Sequence, residues 1–329
     1  MISVKGVSKF FGPKQAVADV SFTVERGEIL GFLGPNGAGK STTMRMITGF
    51  YPPSSGSISV GGHDIIQEPL PAKRLMGYLP ESAPAYTDMT VTDFLDFAAA
   101  IRGLRGADKG KAIDRVVELC FLQGVRHQSV ETLSKGYRHR TCFAQSIIHD
   151  PEVLIMDEPT DGLDPNQKHE VRTIIKEMGQ TKAIIFSTHI LEEVDAVCTR
   201  AIIIDRGRIV ANGTPQELRL KGRQEATVIL RIKRERATKD ALAADLRAVT
   251  GVKRVSVAED AEALTATVGA DKQRVLNGDV NLAIFELAKT QGWKVVSLRQ
   301  EEGRLDDIFR AITLPDSIPA EKAAAVAAA

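Results

Sequence analysis

An α/β fold with a parallel central sheet, followed by a smaller α+β unit, is what this 329-residue sequence predicts. Three features predict it. Short apolar runs at 29–33, 153–156, 183–187 and 201–205 are separated, from the second run on, by segments of helical spacing, the alternation that builds a parallel sheet with crossover helices. A glycine-rich loop, "GPNGAGKS", lies between the first run and a helix-forming stretch. After about residue 222 the pattern becomes βαββαβ, the order of a small ferredoxin-like domain.

Each element has its own local reason. "ISVKGVSKFF" and "AVADVSFTV" partly alternate apolar and polar residues between glycine and proline breaks, which predicts antiparallel strands. "ILGFL" is denser in apolar residues and predicts a buried central strand, making the whole sheet mixed. A helix is predicted over 42–48, closed by Gly49. Val91, Phe94, Leu95 and Ala98 follow helical spacing within 90–101, with Thr92 as the predicted cap. Further helices at 112–119 and 135–148, the last ended by Asp150-Pro151, make 85–150 a largely helical block. In the last third, "EATVILRIKRE" alternates as a strand and Thr238 caps a helix through Val249. "VKRVSVA" and "ALTATVG" form a strand pair, a helix covers about 280–290, and "WKVVSLR" is the last strand. "LDDIFRAIT" is a closing helix, and the alanine-rich end is expected to be disordered. The predicted domains are 1–222 and 223–315, with a tail at 316–329.

Composition excludes several classes. The net charge is +1 with both signs interspersed, so no overall field draws nucleic acid or an acidic partner. Cys120, Cys142 and Cys198 are few, odd in number and widely spaced, which suggests a reducing compartment and no metal cluster. "MISVKGVSKFF" lacks the apolar core of a signal peptide. No apolar run approaches the roughly 20 residues that span a bilayer. A cytoplasmic location is expected, with any membrane work done through another chain. The basic run 231–236 is interrupted by Glu235 and lacks aromatics, so it reads as the solvated face of a strand.

The chemistry concentrates in four stretches. Gly34, Pro35, Asn36, Gly37, Ala38, Gly39, Lys40 and Ser41 fit G-x-x-x-x-G-K-[ST]. Glycines let backbone N–H groups converge on phosphate oxygens, and Lys40 adds charge toward the β- and γ-phosphates. Ser41 offers a hydroxyl to Mg²⁺, and the helix that follows, with Thr42 in its first turn, points its positive end at the anion. "VLIMDE" is an apolar strand delivering Asp157 to the magnesium, with Glu158 next to polarise a water. His189 follows a third apolar strand, where ligands gather in open α/β sheets, and its imidazole can hydrogen-bond a γ-phosphate or the attacking water. "LSKGYRHR" sets a hydroxyl, Ser134, and a glycine, Gly136, ahead of a helix, a second anion site with no phosphate of its own to hold.

"GPNGAGKS", "LSKGYRHR", "VLIMDE", "DGLD" and "STH", in this order, resemble the ATPase subunits of ABC transporters over roughly residues 1–222. The resemblance implies a phosphate-loop ATPase domain, with antiparallel β and helical subdomains, that uses ATP and Mg²⁺. It accounts for the second site: two subunits pack head to tail, and Ser134 and Gly136 of each cap the γ-phosphate held by the other. It also implies that Phe11, or Phe10 beside it, stacks on adenine, that Glu158 is the general base and that His189 senses the γ-phosphate. Asp164 is implied as a cross-dimer contact that can also cap the helix beginning near Pro165. Two departures stand out: Lys135 and Tyr137 occupy positions where the family usually has glycine and glutamine, and Glu81 stands where a glutamine ligand of magnesium is usual.

"MGYLPESAPAYTDMTV" followed by a helix resembles the ATPases paired with ABC-2 type permeases, closest to those of gliding motility and auxiliary transport. That implies a homodimer, or a pair with a homologous subunit, peripheral on the inner face of the membrane through the permease, and export. Residues 80–89 are expected to form part of the docking surface. The rival reading is a non-transport ABC ATPase acting on nucleic acid or ribosomes. Against it, the chain has one phosphate loop and neither sustained heptads nor cysteine-rich zinc elements.

Overall fold

The computed structural model describes residues 1–221, 225–234, 238–260, 262–271, 274–275 and 277–301. The predicted closing helix "LDDIFRAIT" and the tail 316–329 lie outside the described residues. The chain divides into two units, Met1–Pro215 and Gln216–Ala329.

In the first unit, β1 (Ile2–Phe11), β2 (Lys14–Val24), β4 (Ser55–Val60) and β5 (His63–Asp64) form an antiparallel sheet in the order β2-β1-β4-β5. Val20, Phe22 and Val24 of β2 are buried and the residues between them exposed, the period of two that gives a sheet one wet face. The second sheet contains β3 (Ile29–Leu33), β6 (Met76–Leu79), β7 (Val153–Asp157), β8 (Ala183–Thr188), β9 (Arg200–Asp205) and β10 (Arg208–Gly213). Its order is β10-β9-β3-β8-β7-β6, parallel except for β10. Every residue of β3, β7 and β8 is buried, because helices or the first sheet cover both faces.

Alternate side chains of these strands enter separate cores. Val153 and Ile155 pack with Leu30, Phe32 and α1 (Lys40–Ile47) beneath the antiparallel sheet. Leu154, Met156 and Phe186 pack with α3 (Val91–Ile101), α4 (Gly106–Leu119), α5 (Lys135–Ile147) and α6 (Pro165–Met178). Each fully buried Leu, Ile or Phe contributes about 1.5–3 kcal/mol, so the strands that carry the loops below are anchored by burial on both faces. The remaining helices here are α2 (Pro69–Arg74) and α7 (Leu191–Val197), while α8 (Pro215–Lys221) starts at the unit boundary and belongs to the second unit from Gln216 on.

One predicted cap is corrected. Thr90, not Thr92, starts α3: its backbone is extended and its Oγ1 accepts from the Asp93 N–H at 3.1 Å. The Thr92 hydroxyl donates instead to the Arg126 carbonyl at 2.7 Å. The helix predicted at 112–119 begins at Gly106.

In the second unit, β11 (Glu225–Lys233), α9 (Lys239–Arg247), β12 (Val252–Glu259), β13 (Ala263–Asp271), α10 (Asp279–Thr290) and β14 (Val295–Glu301) follow the predicted order. The antiparallel sheet runs β12-β13-β11-β14, the ferredoxin-like arrangement. Thr238 caps α9, accepting from the Ala241 N–H at 3.3 Å. Val228, Leu230 and Ile232 point into the core, while Arg231 and Arg234 of the basic run pair with Asp260 at 3.0 Å and Glu259 at 2.7 Å.

Candidate active site

The sheet register brings four loops to one edge. Leu33 lies beside Thr188, Asp157 beside Ser187 and Met156 beside Leu79. The carboxyl ends of β3, β8, β7 and β6 therefore finish level, and they release the glycine loop, His189, Glu158 and the Glu81 segment in that spatial order. A cleft of about 500 Å³ opens there, lined by Phe11, Lys14, Ala16, Asn36, Gly37, Gly39, Lys40, Ser41, Thr42, Glu81 and Glu158. Phe10 is not among its lining residues, so the structure brings Phe11 to the cleft. Its ring meets Tyr51 edge-on at 5.4 Å and has Lys9 Nζ 5.3 Å from its centre.

The glycine loop is bent as its composition requires. Gly39 has φ 108, and a Cβ there would lie 2.7 Å from the Ala16 carbonyl, so a side chain fails on both counts. Behind the lining, Gly34 and Pro35 present their carbonyls to Lys40 Nζ, at 2.7 and 3.3 Å. The Ala38 N–H donates to Pro35 O at 3.2 Å, and the Ala38 carbonyl accepts from the Gly207 N–H at 2.8 Å. Lys40 is 6% exposed, and its Nζ is 3.7 Å from Glu158 Oε1. Among the described residues the lysine charge meets two neutral carbonyls and one carboxylate, and an anionic phosphate is a stronger partner than a neutral carbonyl.

Asp157 is wholly buried. Its Oδ1 accepts from the Ser187 hydroxyl, and its Oδ2 has no partner among the described residues. A buried carboxylate oxygen without a donor is costly unless a cation meets it. The Ser41 hydroxyl and the Glu81 carboxylate line the cleft, and hard oxygen donors of this kind suit Mg²⁺.

Glu158 sits at φ 52, the left-handed region, at a cost of about 1–3 kcal/mol. Two bonds hold it there: its N–H donates to the Ser187 carbonyl and to Ser187 Oγ, each at 3.2 Å. The kink turns the side chain toward His189, whose Nδ1 is 3.0 Å from Glu158 Oε2. A carboxylate only accepts, so Nδ1 carries the proton and a neutral ring keeps Nε2 as an acceptor. Burial raises the Glu158 carboxyl above the ordinary glutamate value, against the opposing pull of His189 and Lys40. A carboxylate shifted upward is a stronger base than an ordinary one while it stays ionised.

Ser134 and Gly136, expected to form a second anion site, are not among these lining residues. Ser134 caps α5, and its Oγ accepts from the Tyr137 N–H at 3.4 Å. Gly136 is buried against Gln167: a Cβ there would lie 2.5 Å from Gln167 Oε1. Asp164 caps α6 through Gln167 in a reciprocal capping box. Lys135 Nζ reaches Asp161 Oδ2 at 3.0 Å, so the cation at the positive end of α5 is balanced within the chain.

His139, in the same helix, is 4% exposed, and neither ring nitrogen has a partner among the described residues. Burial pushes its pKa down to about 4, Lys135 lowering it further and Asp161 opposing. The unfolded chain takes up the proton first, so stability falls as pH drops from the ordinary histidine value, about 6.5, toward 4. From pH 7.5 to pH 5 this residue alone removes about 2 kcal/mol. His139→Leu is expected to flatten that part of the profile, measured by urea unfolding at both pH values; an unchanged slope would show the proton uptake to lie elsewhere.

Residues 17–161 match the family described as ABC transporter. The chain is 37% identical over 219 residues to the linearmycin resistance ATP-binding protein LnrL of Bacillus subtilis (strain 168), covering 66% of this chain and 70% of that protein. It is also 37% identical over 219 residues to the Nod factor export ATP-binding protein I of Ralstonia nicotianae, covering 66% and 68%. A solved structure described as the ATP binding subunit of an ABC transporter superposes with a TM-score of 0.63 at 31% identity, covering 67% of this chain and 92% of that one.

Proposed function

The chain belongs to the ABC transporter ATP-binding family, and from that premise we propose that two copies close around two ATP molecules and drive a separate ABC-2 type permease in export. The observation that carries this reading is the convergence of the glycine loop, Asp157, Glu158, Glu81 and His189 at one sheet edge, with Ser134 and Gly136 outside the cleft lining.

In this reading Phe11 stacks on adenine, and Lys40 with the loop N–H groups holds the β- and γ-phosphates. Lys40 exchanges its bonds to Gly34 and Pro35 for phosphate oxygens. Ser41, Asp157 and Glu81 would hold Mg²⁺, which when bound neutralises charge on the phosphate oxygens. Glu158 takes the proton of the attacking water, and His189, oriented by Glu158, accepts from that water at Nε2, or donates to a γ-phosphate oxygen when Nε2 carries a proton. Ser134 and the Gly136 N–H approach the same γ-phosphate from the partner copy, and Asp164 lies at that interface. Hydrolysis removes the group both copies grip, so the dimer opens.

The permease would dock on the helical block. A groove of about 360 Å³ is lined by Pro84, Ala85, Tyr86, Phe94, Phe97 and Ile101, among others. Tyr86 is 53% and Ile101 67% exposed, apolar surface that a folded chain normally covers. The groove lining includes Pro84, Ala85 and Tyr86 of the 80–89 segment implicated by sequence. Phe97→Glu and Asp88→Lys are expected to keep ATP binding but abolish co-purification with a membrane subunit and its stimulation of ATPase activity. Full assembly by both variants would reject this face. Stimulation by ribosomes or DNA in place of a permease would favour the non-transport reading.

A further inference from the structure

Glu193 on α7 is 1% exposed, yet both its carboxylate oxygens are engaged. Oε1 accepts from the Thr160 hydroxyl and lies 3.5 Å from Arg172 Nη2 and 3.9 Å from Lys168 Nζ. Oε2 accepts from the Thr188 hydroxyl at 2.8 Å. Thr160 lies two residues past Glu158, and Thr188 immediately precedes His189. The Thr188 hydroxyl also accepts from the Ile190 N–H at 3.0 Å, so the chain is pinned on both sides of His189.

We propose that Glu193 is a positioning residue for hydrolysis, tying the Glu158 loop to the end of β8 so that the Glu158–His189 contact is set before ATP arrives. This rests on the roles assigned above to Glu158 and His189. Three observations converge on it. Glu158 is held in a left-handed conformation, which persists only where its surroundings over-determine it. Its backbone anchor is Ser187, on the same strand end that Glu193 fixes through Thr188. A buried carboxylate is also a poor choice for stability alone, since well-packed apolar residues do as well or better in such places. Glu193 therefore acts through two hydroxyls on two catalytic loops, with Lys168 and Arg172 of α6 supplying the compensating charge.

The test measures ATP KM, kcat, nucleotide Kd and Tm for Glu193→Gln, Thr160→Val, Thr188→Val and the Glu193→Gln/Thr188→Val double variant. Glu193→Gln should lower kcat by about 10- to 100-fold, the usual scale for losing an outer support of a reacting group, with Kd unchanged. The double variant should be no slower than Glu193→Gln, because both changes cut one tether. Multiplying losses, an unchanged kcat, or a fall confined to Kd and Tm would overturn the proposal. If Glu193→Gln does not fold, the two threonine variants decide: lower kcat at constant Kd supports it, and wild-type kcat in both overturns it. Glu158→Gln and His189→Ala run alongside. If those two hydrolyse ATP normally, the active-site reading fails; if they are inactive while Glu193→Gln is normal, only the positioning role fails.

Discussion

Glu158→Gln is expected to bind MgATP, hydrolyse it about 10²–10⁴-fold more slowly, the range lost with a general base, and remain a closed dimer. Glutamine keeps the side-chain length and an oxygen for His189 Nδ1, so the kinked backbone and the 3.0 Å contact survive. It cannot take the proton from water. On the proposed mechanism the γ-phosphate that joins the two copies then persists. Charge-assisted hydrogen bonds contribute about 1.5–3 kcal/mol each. A few at each of two sites exceed the ~5.5 kcal/mol that moves an equilibrium from 1:99 to 99:1. Size-exclusion chromatography with MgATP should give a dimer for this variant and a transient one for the wild type. A variant that stays monomeric at saturating MgATP contradicts the closed-dimer mechanism. The same residue sets the acid limb of kcat/KM, which should lie above the ordinary glutamate range because burial raises this carboxyl, and should vanish in the variant.

Lys40→Ala acts one step earlier, on binding. Lys40 is buried between the Gly34 and Pro35 carbonyls and Glu158. Exchanging those contacts for phosphate gains roughly one or two charge-assisted bonds, so ATP affinity should fall by about 10²-fold. Removing Lys40 also takes away one of the positive charges that oppose the upward shift of the Glu158 carboxyl, so that carboxyl moves further up. Titration of a fluorescent ATP analogue checks the first effect. Unchanged affinity would remove the glycine loop from the site.

The loops of the site were legible in the sequence because their chemistry constrains composition. A backbone at φ 108 pressed against the Ala16 carbonyl admits only glycine, so Gly39 shows in the letters. "VLIMD" is buried throughout and reads as a continuous apolar run. Elements held by distant pairing were not legible. β4 pairs with distant β1 and alternates only over its last four residues, and β5 is two residues long, so the period is too short to betray them. Thr90 and Thr92 are equal as caps until Arg126, far along the chain, claims the Thr92 hydroxyl. Phe10 and Phe11 stayed undivided because β1 shifts register between Lys9 and Phe10, where simple alternation stops working. Ser187, Thr188 and Glu193 were missed although a signal existed. Two hydroxyl residues end the apolar strand "AIIFST", and hydroxyls buried in a central strand need partners.

The central claim is that each working site is shared between two copies. A structure of the Glu158→Gln protein with MgATP tests it most directly. The account predicts Ser134 Oγ of the opposite copy within hydrogen-bond reach of the terminal phosphoryl group, at about 2.5–3.0 Å. A γ-phosphate facing solvent, or met only by its own chain with the opposite Ser134 out of reach, would contradict it.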